Sequence, residues 1–269
     1  MSTFQHDSPQ LATSYDAISD PQYLQGLSLL EELGVEQRCS VLDLGCGTGR
    51  LTAECARIIA PEGRVLGLDP LPDRIAVAKR YESDRLTFVV GDASHLASLP
   101  AGFFDAVYLN SVLHWISDQL QTLRHVARVL RPGGVLGLTT ASAEDPNTFR
   151  RGLVAVMNDL ALTLPASSVG STRKVTPAGL TAMYEEVGLV STSTSVRAVT
   201  DTFADLEHVL KFRAASSFGN FLHGVPNNER HQIFAGLRQA FAPFTDSKGT
   251  HMTRHVIFSL AEKTGGPRE

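Results

Sequence analysis

Cysteine is scarce: Cys39, Cys46 and Cys55 are the only three in 269 residues, and they fall within one short segment. They have neither Cys-x-x-Cys spacing nor the number needed for a disulfide framework. That argues against a disulfide-stapled secreted domain and predicts a reducing, cytoplasmic setting. Excess positive charge is also missing, because 24 Lys and Arg face 28 Asp and Glu, a formal net charge of −4. Nucleic acid and anionic membrane are therefore not the expected partners, since phosphate binding normally shows as clustered Lys and Arg. No run approaches the roughly 18 apolar residues of a membrane span, and the opening MSTFQHDSPQLATSYD lacks the basic start and apolar core of a signal peptide. Internal repeats are absent. Linker-like composition is confined to the N-terminus, PASSVGSTRK (165–174) and the closing TGGPRE.

What is present is an alternation. Short apolar runs at SVLDLG (40–45), RVLGLD (64–69), LTFVVGD (86–92), FDAVYLN (104–110) and GVLGLTT (134–140) read as buried strands. Residues 49–60, 72–81 and 118–130 between them carry apolar positions at helical spacing. Strand, helix, strand in that order predicts a doubly wound α/β domain with a mostly parallel sheet. Two further strands, VSTSTSVRAV (190–199) after a helix near 177–187 and RHVIFSLAEK (254–263), bring the expected sheet to seven. The expected organisation is one domain over 1–269. Residues 1–37 form an N-terminal helical cover, 38–142 the ligand-binding core, and 143–175 and 203–243 helical insertions over the site.

The most informative stretch is Val41-Leu42-Asp43-Leu44-Gly45-Cys46-Gly47-Thr48-Gly49-Arg50, a buried strand feeding a glycine turn that opens a helix. In a doubly wound sheet this is where a nucleotide-like ligand meets the backbone and the helix N-terminus. The spacing is Gly-x-Gly-x-Gly, with Arg50 where a dinucleotide fingerprint would have its third glycine. Three features follow in order: Asp69 at the end of the second strand; Val90-Gly91-Asp92-Ala93 after the third; and Asn110-Ser111-Val112-Leu113-His114-Trp115 after the fourth. An amphipathic helix and Leu130-Arg131-Pro132-Gly133-Gly134 come next.

With these motifs the sequence resembles the class I S-adenosylmethionine-dependent methyltransferases, well over about 38–140 and moderately in the last strand. The resemblance implies a Rossmann-like methyltransferase fold and S-adenosylmethionine as cofactor. Gly45, Cys46 and Gly47 would approach its methionine part, with Asp43 near the ammonium. Asp69 and Pro70 would face the ribose, Asp92 and Ala93 the adenine, and Asn110 and Ser111 would complete the wall. Tyr15 would fold over the cofactor from the N-terminus. The methyl group is already activated on a sulfonium, so positioning is the main demand and no metal is required.

The acceptor is less determined. The fourth-strand end lacks the Asp/Asn-Pro-Pro-Tyr/Phe motif of enzymes that methylate base amino groups, and no paired glutamates or magnesium-binding carboxylates stand nearby. A small-molecule acceptor remains. His114 is the catalytic candidate, as a base suited to neutral pH or as an orienting group. Trp115, Phe218 and Phe221 are candidates for acceptor contacts. The run Tyr15-Asp16-Ala17-Ile18-Ser19-Asp20-Pro21-Gln22-Tyr23 is similar to fungal thiol methyltransferases acting on dithiol diketopiperazines, which adds Tyr23 and predicts S-methylation in secondary metabolism. The alternatives are O-methylation of a small carboxylate or phenol, or a cofactor-binding enzyme that transfers no methyl group.

Overall fold

A computed structural model describes residues 6–144, 147–163 and 172–265. Most of the linker-like 165–174 stretch and the end of TGGPRE lie outside the described residues. Five strands run parallel: β1 Ser40–Leu44, β2 Arg64–Asp69, β3 Leu86–Val90, β4 Phe104–Asn110 and β5 Leu130–Ala141, in the spatial order β3-β2-β1-β4-β5. The sheet continues through two long strands, β6 Leu189–Phe203 and β8 Gly249–Lys263, with β8 antiparallel between β5 and β6. The two-residue β7 Thr245–Asp246 pairs only with β8. The doubly wound, mostly parallel sheet is the predicted one, with this short eighth strand added.

Helices cover both faces, as the apolar spacing requires. On one face α2 Asp20–Leu33, α3 Arg50–Ile58 and α4 Pro72–Ala78 pack Leu29, Leu30, Cys55, Ile75 and Ala78 against Val41, Val65 and Tyr108. On the other, α5 Gln119–Val129 and α7 Pro177–Glu186 bury Leu123, Val126, Ala127, Leu180 and Tyr184 against Leu42, Val107 and Leu136. The α5 residues are part of the stripe legible in the sequence, and Asp118 starts the helix by accepting from the Gln121 amide at 2.9 Å.

Order reverses between β1 and β4, so the crossover helices leave their carboxyl ends on opposite sides and a crevice opens there. Two sets of helices close over it. α1 Pro9–Ile18 lies in the N-terminal stretch of linker-like composition, within the expected helical cover; its signal is Ser8-Pro9, a serine cap followed by a proline in the first turn. α8 Leu206–Ser216 and α9 Asn227–Phe241 are inserted between β6 and β8. With α6 Thr148–Asp159 they form a third apolar cluster, including Phe149, Phe212, Leu237 and Phe241, on the far ends of β6 and β8 through Phe203 and Met252.

Candidate functional site

The crevice is a cavity of about 440 Å3. The glycine turn forms its floor. Gly45 has φ +84°, and a Cβ there would lie 2.3 Å from Val112 Cγ2, so the turn can pass beneath the end of β4 only as glycine. Gly49, at φ +80°, caps α3, and a Cβ there would meet Phe88 at 2.8 Å. Gly45 and Gly47 thus line the cavity with backbone, while Gly49 lets α3 pack closely on the core behind it.

Asp69 closes one wall. Its two carboxylate oxygens accept from the backbone amides of Gly47 (2.9 Å) and Leu71 (3.0 Å), which fixes it rigidly. Burial nonetheless raises its pKa, opposed by nearby Arg74 and by those two amides. Asp92 is also on the wall and also a cap, its Oδ1 accepting from the Ser94 amide (2.9 Å) and hydroxyl (2.6 Å). These bonds hold its pKa below the usual carboxylate value. Tyr15, Gly45, Gly47, Pro70, Ala93, Asn110 and Ser111 complete this end. Arg74 lies over the Tyr15 ring at 4.2 Å and the Phe218 ring at 4.7 Å, so α1, α4 and the turn after α8 meet in one roof. Trp115 meets Phe218 edge-on, centroids 4.8 Å apart.

Four predicted residues lie elsewhere. Asp43 does not line the cavity: Thr52 Oγ1 and Tyr108 OH both donate to its Oδ2 at 2.7 Å, and burial raises its pKa to about 7. Cys46 is packed under the turn, with burial pushing its thiol far up. Tyr23 carries the Arg50 guanidinium over its ring at 4.6 Å. Phe221 packs on Phe149, 5.5 Å between centroids, inside the insertion. In each case a neighbouring element has taken the side chain.

The other end of the cavity differs in charge. His114, Lys174, Arg213, Arg254 and His255 line it. Asp201 pairs with Arg254, whose Nη1 also donates to Gln25 Oε1 at 3.0 Å. Gln25 Nε2 in turn lies 3.1, 2.8 and 2.6 Å from Asn110 Oδ1, Ser111 Oγ and Thr139 Oγ1, tying α2 to the ends of β4 and β5. Arg213 has no such carboxylate; its guanidinium lies over the Phe149 ring at 5.0 Å. It is buried, donates no hydrogen bond to the protein and has no carboxylate in ion-pair reach among the described residues. Burial, Arg254 and Arg150 lower its pKa to about 10, still protonated at neutral pH. Lys174 is lowered by burial, Arg150 and Arg213.

His114 sits in the turn Leu113–Trp115, and burial first, then Lys174, Arg213 and Arg254, lower its pKa to about 3. The pKa near 6.5 that the base reading assumed is therefore not the one this setting gives, first because the ring is buried and then because three cations face it. Sequence reasoning missed Gln25, Lys174, Arg213 and Arg254. They carry no motif and come from four segments, although Arg213 beside Phe212, on an inserted helix, offered a faint signal.

The donor set suits the cofactor of the suspected family: fixed carboxylates for hydroxyl and amino groups, a glycine floor and an aromatic roof. The comparisons agree. The family described as "Methyltransferase domain" matches residues 42–138. Trans-aconitate 2-methyltransferase of Deinococcus radiodurans is 34% identical over 155 residues, covering 56% of this chain and 58% of that protein. Arsenite methyltransferase of Mus musculus is 30% identical over 154 residues, 52% of this chain and 40% of that protein. The chain thus spans between two fifths and three fifths of these relatives' lengths. Among solved structures, the YcgJ protein of Bacillus subtilis superposes with a TM-score of 0.63 at 20% identity, covering 90% of this chain and all of that one, which supports the fold alone. Over residues 42–138 the chain thus matches the methyltransferase domain family, and that match with its relatives supports a class I S-adenosylmethionine-dependent methyltransferase.

Proposed function

We propose that the protein methylates a carboxylate oxygen of a small acidic molecule. The observation that carries this reading is Arg213: a buried guanidinium without a counter-charge costs several kcal/mol, and a bound anion is the partner that offsets it. Lys174 stands beside it, and the relative from Deinococcus radiodurans is named for trans-aconitate, a small polycarboxylic acid. Planar guanidinium matches carboxylate in a two-pronged hydrogen bond, so Arg213 would orient the acid as well as attract it.

S-adenosylmethionine, whose polar edges Asp69 and Asp92 would hold, would supply a sulfonium methyl group to the carboxylate oxygen; the C–S bond given up would balance the ester C–O bond formed, with a thioether as leaving group and no proton to remove. The roof of Tyr15, Arg74, Trp115 and Phe218 excludes water. What remains for the protein is alignment, which is worth several kcal/mol in a two-substrate reaction.

The test is incubation with methyl-labelled S-adenosylmethionine and a panel of acceptors: trans-aconitate and other di- and tricarboxylic acids, their amides, phenols, and mono- and dithiols. Label should enter the acids as a base-labile ester and leave the amides unmodified. Transfer to thiols with none to acids would restore the reading drawn from the N-terminal run, and transfer to phenols alone would favour phenol O-methylation. Cofactor binding without transfer to any class would favour a non-methylating enzyme.

A further inference from the structure

His114 sits on the cavity wall at the cationic end. On its Nδ1 side two groups converge from β5: Thr140 Oγ1 at 3.1 Å and the backbone N–H of Ala141 at 3.4 Å. A backbone amide can only donate. Nδ1 is therefore the acceptor, and in a neutral ring the proton resides on Nε2. Nε2 has no hydrogen-bond partner among the described residues, so this N–H is left for a ligand.

The surroundings hold the ring neutral. The charges acting on it are all positive and come from three directions: Lys174 from the segment leading into α7, Arg213 from α8 and Arg254 from β8. His255 of β8 lines the same end, while Thr140 and Ala141 bring no charge. The acidic residues of the cavity wall, Asp69, Asp92 and Asp118, are not among the groups that shift it. A second proton on the imidazole would add one more positive charge to this cluster.

We propose that His114 acts as a hydrogen-bond donor, its Nε2–H and the Arg213 guanidinium together gripping the acceptor carboxylate and selecting the oxygen presented to the methyl group. This rests on the carboxylate reading above and adds a selectivity to it. A site with a donor and no base takes acceptors that arrive ionised and rejects alcohols, whose proton must first be removed. It also disfavours amines, which arrive as cations among cations.

Two measurements on the full chain test the proposal. Imidazole 15N shifts of the protein bound to S-adenosylhomocysteine should show His114 as the neutral Nε2–H form from pH 8 down to pH 5, and this readout needs no acceptor. An Nδ1–H form, or a His114 titration near pH 6.5, overturns the proposal whatever the acceptor is. Kinetics with trans-aconitate as probe then separate donor from base. Gln at this position can donate but cannot take a proton, so His114→Gln should keep kcat/KM within about 10-fold of wild type. His114→Ala should lose about 10- to 150-fold, the range for a hydrogen bond to a charged group, with cofactor affinity as the folding control. Both active forms should have rates independent of pH between 6 and 9. Equal losses in Gln and Ala, or a rate that rises with pH in the wild type alone, would overturn the donor role. If no acid is methylated yet the ring is the neutral Nε2–H form, the carboxylate reading fails and the donor role toward a carboxylate falls with it.

Discussion

The two ends of the cavity are built in opposite ways. The end proposed for the cofactor consists of carboxylates and backbone at the tips of successive strands, with Asp69 and Asp92 already fixed by protein N–H and O–H groups. The end proposed for the acceptor consists of cationic side chains from the segment before α7, from α8 and from β8, and Arg213 among them has an aromatic neighbour but no carboxylate partner among the described residues. A finished hydrogen-bond set marks a surface prepared for a neutral, polar ligand edge. An unfinished charge marks one that is completed only when an anion binds.

Separating the ends by mutation should produce effects of decreasing size. Arg213→Met should lower kcat/KM for an acidic acceptor by roughly 30- to several thousand-fold, since truncating one partner of a buried charge pair costs about 2–5 kcal/mol. Cofactor affinity, measured by calorimetry, should change less than about threefold. Asp69→Ala should show the reverse pattern, weakening the cofactor by about 10- to 150-fold through lost hydrogen bonds to a charged group. An unchanged dissociation constant would remove Asp69 from the cofactor site.

The phenylalanines divide in the same way. Phe218 is in the roof, so Phe218→Ala should raise KM several-fold. Phe221 is inside the insertion, so Phe221→Ala should leave kinetics near wild type and instead cost roughly 1–3 kcal/mol of stability, read as a lower Tm. Kinetic loss at Phe221 would place it in the site after all.

Asp43 gives the smallest effect and a contrast with Asp69. Its folded pKa of about 7 lies above the unfolded value of about 3.9, so the stability it contributes is complete below pH 4 and is lost as pH rises through 7. Asp43→Asn removes that dependence. The variant's Tm should gain on the wild type between pH 5 and pH 8 by an amount equivalent to roughly 1–3 kcal/mol, with cofactor affinity little changed. A parallel pair of Tm curves would mean that Asp43 is ionised throughout.

The cavity wall proposed for the cofactor was legible in the sequence because parallel strands deliver their carboxyl ends to one edge, so short motifs in chain order are also neighbours in space. Gly45, Asp69, Asp92 and Ser111 all follow from that rule. Asp43 and Cys46 belong to the same motif, but position in a motif does not say which face a side chain takes, and Thr52 with Tyr108 claims Asp43. Tyr23 and Phe221 were read from aromatic character, which serves core and site equally. The acceptor end was not legible. Lys174, Arg213 and Arg254 lie far apart in sequence and converge only because β8 enters between β5 and β6 while α8 folds back over the crevice. His114 was placed on the cavity wall by its position in the chain, but its pKa was misjudged because neither its burial nor the cations around it were yet in view.

Trp115 provides the most direct test of the central claim, that one end takes the cofactor and the other takes an acid. It is the only tryptophan in the chain and lines the cavity beside Phe218. Fluorescence of the protein saturated with S-adenosylhomocysteine should change saturably on titration with trans-aconitate, weaken as salt is added, and fail to respond in Arg213→Met. No response to the acid, or an equal response to its uncharged amide, would contradict the account.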